Sequence, residues 1–147
     1  MTSWNHVGHH VADIERAVRF YVGVFGFDEL NRLEIPDAAA SKLLSVPEPV
    51  GLTAVYLALD GTVLELLHMS GADDHTGGPT ARVERSFTEA GLTHLSFTVE
   101  DLAATCEAVR EHGGEVLEST DMGGFAIMVR DPDGQLVELL PPGALPY

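Results

Sequence analysis

The feature that most restricts how this chain can fold is an internal duplication marked by the same residue types at the same spacing. His6 precedes Asp13 by seven positions and Gly26 by 20, while His94 precedes Asp101 by seven and Gly114 by 20. Farther along each half a glutamate interrupts an apolar run, in Gly61-Thr62-Val63-Leu64-Glu65-Leu66-Leu67 and in Gly134-Gln135-Leu136-Val137-Glu138-Leu139-Leu140. Glycine stands four places before the glutamate both times, and Leu-Leu follows it. Matched caps, breakers, histidines and glutamates indicate two copies of one supersecondary unit. An ionised carboxylate in an apolar strand is costly unless it is paired, protonated or bound to a metal. Glu65 and Glu138 therefore call for one shared explanation.

Hydrophobic periodicity fills in the unit. Trp4 to Val11 reads as a strand, Asp13 as a helix N-cap, and Ile14, Ala17, Val18, Tyr21, Val22 and Phe25 recur at helical spacing up to Gly26. A strand is predicted over 27–35, then a loop over 36–49 with one helical turn through its three alanines. A hairpin of strands 52–59 and 62–68 turns at Asp60-Gly61. The polar, glycine-rich stretch 69–79 reads as a linker, and a short helix is predicted over 82–90. The second half then repeats the first: strand 93–99, a helix capped by Asp101 that carries Leu102, Thr105, Cys106 and Val109, a close at Gly113-Gly114, and strands 115–119, 125–130 and 135–140. Asp131-Pro132-Asp133-Gly134 supplies the last hairpin turn. The predicted class is α+β: two tandem βαβββ modules, 1–79 with its linker and 80–147, forming one compact domain by duplication with a curved mixed sheet around a metal cleft.

Composition narrows the function. Eight lysines and arginines face 23 aspartates and glutamates, a net charge of −15. A field of that sign repels nucleic acid and anionic membranes and disfavours a polyphosphorylated substrate. No apolar run approaches the roughly 20 residues that span a bilayer, and Met1 to His6 lacks the pattern of a signal peptide, so a cytoplasmic protein is expected. The single cysteine, Cys106, has no partner for an internal disulfide and reads as a small buried side chain.

Side chains alternate across a strand. His6, Gly8 and His10 therefore share one face of the first strand, and Val7, His9 and Val11 the other. His94, Ser96 and Thr98 likewise oppose Leu95, Phe97 and Val99. The apolar sets belong against the helices, which leaves His6 and His94 on the concave side with Glu65 and Glu138. Leu136 and Leu140, on the face of Glu138, predict that little water reaches it. Two modules related by a pseudo-two-fold axis bring two imidazoles and two carboxylates to one cleft. Two nitrogen and two oxygen donors suit one zinc, nickel, cobalt, manganese or ferrous ion. A six-coordinate ion then keeps two positions for water or substrate, which points to a catalytic site. His9, His75 and His112 follow no such pattern and are expected to be solvated.

On these residues the sequence resembles the vicinal oxygen chelate superfamily, the group of glyoxalases, bleomycin-resistance proteins and extradiol dioxygenases. The likeness runs from His6-Val7-Gly8 through Phe20-Tyr21, Gly26-Phe27 and Asp131-Pro132-Asp133-Gly134 to Val137-Glu138-Leu139. The resemblance implies that His6, Glu65, His94 and Glu138 hold the metal. A complete set is similar to the isomerases rather than to ring-cleaving dioxygenases, which use two histidines and one glutamate. In glyoxalase I the last glutamate moves the substrate proton. Here His10 and Met69 stand where relatives carry residues that help hold glutathione, and they are the candidate substrate-binding residues. Methylmalonyl-CoA epimerase places its catalytic glutamate in a Pro-Glu context before the third strand, where this chain has Pro47-Glu48. Its Gly-Ala-His-Gly segment is replaced here by Asp121-Met122-Gly123-Gly124.

The expected activity is that of a metal-dependent isomerase or lyase that abstracts a proton beside a metal-polarised oxygen. Glu138 is the proton-moving residue and Glu48 the candidate second base. The alternatives are an Fe(II) extradiol-type dioxygenase in which Glu65 is not a ligand, and a non-enzymatic protein that binds a small molecule such as an antibiotic. The expected partners are a small-molecule substrate and a second copy of the chain in a homodimer, with the modules pairing within one chain or swapping between two.

Overall fold

Two aspartates start the two long helices in the same way. The Asp13 carboxylate accepts from the Arg16 backbone N–H at 2.9 Å and that of Asp101 from Ala104 at 2.9 Å, each satisfying a donor that the first helical turn leaves unpaired. The Arg16 N–H also holds the Asp13 carboxyl below its usual range. A computed structural model describes residues 1–71 and 87–145, and the chain divides into two units, Met1–Ala81 and Arg82–Tyr147.

The first unit runs β1 (Val7–His10), α1 (Ile14–Phe25), β2 (Asp28–Ile35), α2 (Asp37–Leu44), β3 (Leu52–Leu59) and β4 (Thr62–Met69). Its sheet has the order β1-β4-β3-β2, with β1 parallel to β4 and the other pairs antiparallel. The second unit runs β5 (His94–Thr98), α3 (Leu102–Glu111), β6 (Glu115–Val116), a 3₁₀ turn (Glu118–Thr120), β7 (Ile127–Arg130) and β8 (Leu136–Leu140). Its order, β5-β8-β7-β6, repeats the first with the same mixture of parallel and antiparallel pairs. The duplication in the sequence is thus a duplication of topology. The class is α+β, with two four-stranded mixed sheets and three helices among the described residues.

Each sheet has one face under a helix. In the first unit Val55, Leu57, Leu64 and Leu66 are buried, as are Ala17, Phe20 and Tyr21 of α1, which packs on β3 and β4. Phe20, Tyr21 and Phe27 meet edge to face at ring separations of 5.2 and 5.9 Å, the geometry aromatic quadrupoles favour. Gly26 ends α1 at φ +75° and donates to the carbonyls of Tyr21 and Val22, a left-handed cap that suits glycine. In the second unit Val129, Val137 and Leu139 are buried together with Cys106 and Val109 of α3. Burial pushes the Cys106 thiol above its ordinary range.

Several boundaries depart from the sequence expectation. The predicted 36–49 loop holds an eight-residue helix, α2, because Pro36 leads into three consecutive alanines and Ala40 is buried against Val50 and Leu52. The strand predicted over 115–119 shortens to two residues: Thr120 turns the chain by donating its hydroxyl to the Leu117 carbonyl and accepting from Met128 N–H. The next strand begins at Ile127 rather than at the exposed Phe125. Of the helix predicted over 82–90, residues 82–86 lie outside the described residues, and 87–90 form turns and bends. No helix among the described residues is long and apolar enough to cross a membrane.

Candidate functional site

Register decides what surrounds each strand glutamate. Glu65 of β4 lies between Gly8 of β1 and Tyr56 of β3, and Glu138 of β8 lies between Ser96 of β5 and Met128 of β7. All six sit on the sheet face away from the helix, because the residues on either side of each glutamate in sequence are the buried ones. His6 and His94 stand two places before Gly8 and Ser96, so they reach the same faces. His6 Nε2 lies 3.1 Å from Glu65 Oε2, and His94 Nε2 lies 3.7 Å from Glu138 Oε2. Each unit therefore joins the histidine and glutamate that the repeat singled out. Among the described residues, no three His, Cys, Asp or Glu side chains close on a single point.

The far nitrogen of each ring is also held. His6 Nδ1 is 2.5 Å from Asn5 Oδ1, and His94 Nδ1 is 2.8 Å from Thr93 Oγ1. Both nitrogens of His6 face an oxygen that can only accept, Asn5 Oδ1 and Glu65 Oε2, so the neutral ring donates to one of them and the imidazolium to both. A polar residue immediately before the histidine contacts Nδ1 in both units. The sequence carried the signal as Asn5-His6 and Thr93-His94, but it becomes meaningful only once the rings' orientations are seen. A histidine held at Nδ1 with Nε2 beside a carboxylate is the donor arrangement that suits a borderline divalent ion. On donor chemistry the residues fit as two half-sites.

The glutamates themselves are held differently. Tyr56 stands directly across from Glu65 on β3, and the carboxylate beside its hydroxyl pushes the phenol up to about 12. The Tyr56 ring also meets His6 edge to face at 5.9 Å. Ser96 Oγ donates to Glu138 Oε2 at 2.8 Å. The Glu65 side chain is 13% exposed and that of Glu138 is 29% exposed. The dry Glu138 predicted from Leu136 and Leu140 is thus corrected: Leu140 is buried, but the Leu136 and Ser96 side of the strand stays partly open.

The other candidates fall elsewhere. His10 is an exposed residue at the end of β1, opposite Leu67 and two places along the face from Gly8. Met69 ends β4, half-buried against the cluster of Ala40, Val50 and Leu52. Glu48 is exposed in the connection from α2 to β3. Two residues later, the Val50 carbonyl accepts from Gly71 N–H just past β4, whose end at Met69 is about 13 Å of strand from Glu65 at about 3.3 Å per residue. His9 and His112 are not the solvated residues expected: His9 is half-buried with its ring 6.2 Å from that of Tyr21, and half-buried His112 lies 2.9 Å from the Ala108 carbonyl at the end of α3. His75 lies outside the described residues.

Comparison with known proteins places these features in a family. The sequence profile of the Glyoxalase/Bleomycin resistance protein/Dioxygenase superfamily matches residues 3–139. The lactoylglutathione lyase of Pseudomonas aeruginosa is 29% identical, with 93% of this chain and 81% of that protein covered. The ethylmalonyl-CoA/methylmalonyl-CoA epimerase of Cereibacter sphaeroides is 30% identical over 92% of this chain and 94% of its own. Some relatives are much longer: the chain covers 45% of the putative lactoylglutathione lyase of Brassica oleracea. Among solved structures, a glyoxalase family protein from Bacillus cereus superposes with a TM-score of 0.76 at 17% identity, covering 96% of this chain and 94% of that one, a likeness of fold.

Proposed function

The chain belongs to the glyoxalase/bleomycin resistance protein/dioxygenase superfamily, and from that premise we propose that it is a divalent-metal-dependent isomerase or lyase. It removes and returns a proton at a carbon next to a carbonyl or alcohol oxygen of a small-molecule substrate. The observation that carries this reading is the twofold occurrence of one device, a histidine held at Nδ1 with Nε2 facing a strand carboxylate. The residues that would hold the ion are His6, Glu65, His94 and Glu138. A divalent ion, when bound, supplies Lewis-acid polarisation of the substrate oxygen, which lowers the pKa of the neighbouring C–H.

Glu138 is the residue that moves the proton. A carboxylate acts as a base only if it can turn toward the substrate carbon. Of the two, Glu138 has the longer contact to its histidine and the greater exposure, and Glu65 is the more enclosed. The same enclosure, 3.1 Å from His6, favours Glu65 as a donor and so favours four donors over the three of the ring-cleaving alternative. Glu48 is kept as the candidate second base, and His10 and Met69 as residues that choose the substrate. The proposed assembly is a homodimer, checked by the mass in solution.

The test is isotope exchange. Metal-loaded protein in D2O is incubated with methylmalonyl-CoA and, separately, with the hemithioacetal of methylglyoxal and glutathione. Deuterium is expected at the carbon beside the oxygen in at least one, dependent on added nickel or zinc and absent in Glu138→Gln. With His10 and Met69 in place, the hemithioacetal is expected to be the poorer substrate, far below the diffusional ceiling of about 10⁸ M⁻¹s⁻¹. No exchange into either, together with oxygen uptake on an aromatic diol, would contradict the proposal in favour of ring cleavage.

A further inference from the structure

The two carboxylates receive their hydroxyl partners from opposite sides. In the first unit the neighbour of Glu65 on the edge strand β1 is Gly8, which has no side chain, and the hydroxyl is that of Tyr56, directly opposite on the inner strand β3. In the second unit the neighbour of Glu138 on the inner strand β7 is Met128, and the donor is Ser96 on the edge strand β5. The topology is duplicated, yet the donor has changed strands. Each glutamate has one hydroxyl partner directly across the sheet, and in neither unit do both flanking positions carry one.

We infer that Tyr56 and Ser96 are positioning residues, one per half-site, that set the orientation of the carboxylate which faces the histidine. This rests on the reading of His6, Glu65, His94 and Glu138 as the metal-holding set. An ionised carboxylate offers about four lone-pair directions, and one hydroxyl bond removes rotational freedom while leaving the others for an ion. Partners that orient a ligand in this way commonly matter by about 10–100-fold in affinity or activity. A Cβ built on Gly8 stands 3.6 Å from Glu65 Oε2 and 3.6 Å from Leu67 Cδ1, ordinary contact distances. A serine there has room, and by the matching register its hydroxyl would stand across from Glu65 as that of Ser96 stands across from Glu138. Gly8 is therefore open to a second donor that Tyr56 makes unnecessary.

The experiment measures zinc affinity of the full chain by competition with a chromophoric chelator, with a thermal melt of each variant as the control for folding. Tyr56→Phe keeps the ring and loses only the hydroxyl, and it is expected to weaken zinc binding by about 10–100-fold. Adding Gly8→Ser to Tyr56→Phe is expected to recover most of that loss, because it restores a hydroxyl from the other strand. A role for the Tyr56 ring in packing alone predicts no recovery. In the second unit Ser96→Ala is expected to weaken binding and Ser96→Thr to preserve it, and this pair decides the matter if Tyr56→Phe does not fold. Tyr56→Phe and Ser96→Ala both within about twofold of wild type, well short of the range for such partners, would overturn the inference while leaving the metal reading intact. So would a loss that Gly8→Ser fails to recover. A wild type that binds no zinc would overturn both.

Discussion

At the scale of single residues, the chemistry turns on how two glutamates of one kind come to differ. Glu65 is enclosed, directly across from Tyr56 and 3.1 Å from His6. Glu138 is more open, bonded by Ser96 and 3.7 Å from His94. Glu138→Gln keeps an oxygen donor but loses the charge, so it is expected to weaken zinc binding and to slow proton exchange by about 10²–10⁴-fold, the usual worth of one positioned base. Glu48→Gln is expected to keep zinc occupancy near wild type, since Glu48 is exposed beyond the far end of β4; the exchange rate of that variant then reads out a second base. Both outcomes come from the same pair of measurements, metal content and isotope incorporation. The place of Tyr56 was legible in principle: a two-residue turn at Asp60-Gly61 pairs Leu59 with Thr62 and hence Tyr56 with Glu65. The exposure of Glu138 was not, because apolar neighbours along a strand say nothing about how deeply its face is covered.

At the scale of elements, the strongest local signals are the caps. Asp13→Ala removes a side-chain bond to Arg16 N–H and is expected to cost about 0.5–2 kcal/mol at neutral pH. The Asp13 carboxyl is held below its ordinary value in the folded chain. Its contribution is therefore fully present above the unfolded value of about 3.9 and is lost as pH falls through the folded value. Denaturant melts of wild type and Asp13→Ala should converge on acidification, and a gap that persists in strong acid would show that the cap is not the cause. Caps, glycine stops and the Asp60-Gly61 turn act through the backbone of a few adjacent residues, which is why they could be read directly. The helix α2 could not. Eight residues between Pro36 and Ser45 are too short to be stable alone, and burial of Ala40 against Val50 and Leu52 supplies what propensity lacks. The shortened β6 has the same origin in a distant partner, the Thr120 hydroxyl that accepts from Met128 N–H.

At the scale of the whole molecule, one βαβββ topology occurs twice with the same residue types at matching places. Strand order, parallel pairing, helix cap, histidine and glutamate recur, and so does the polar residue that holds each Nδ1. Spacing alone revealed the repeat because the separations of His6, Asp13 and Gly26 match those of His94, Asp101 and Gly114. The hydroxyl donors drifted to opposite strands, which no spacing could reveal. One nitrogen and one oxygen donor are a weak ligand set, and the proposed set, His6, Glu65, His94 and Glu138, has two of each. The most direct test is the stoichiometry of zinc bound at saturation, measured by equilibrium titration of the full chain with His6→Ala and His94→Ala alongside. About one ion per chain is expected, with either substitution removing most of the binding. Two independent ions per chain, each lost with only one of the two histidines, or no ion at all, would contradict it.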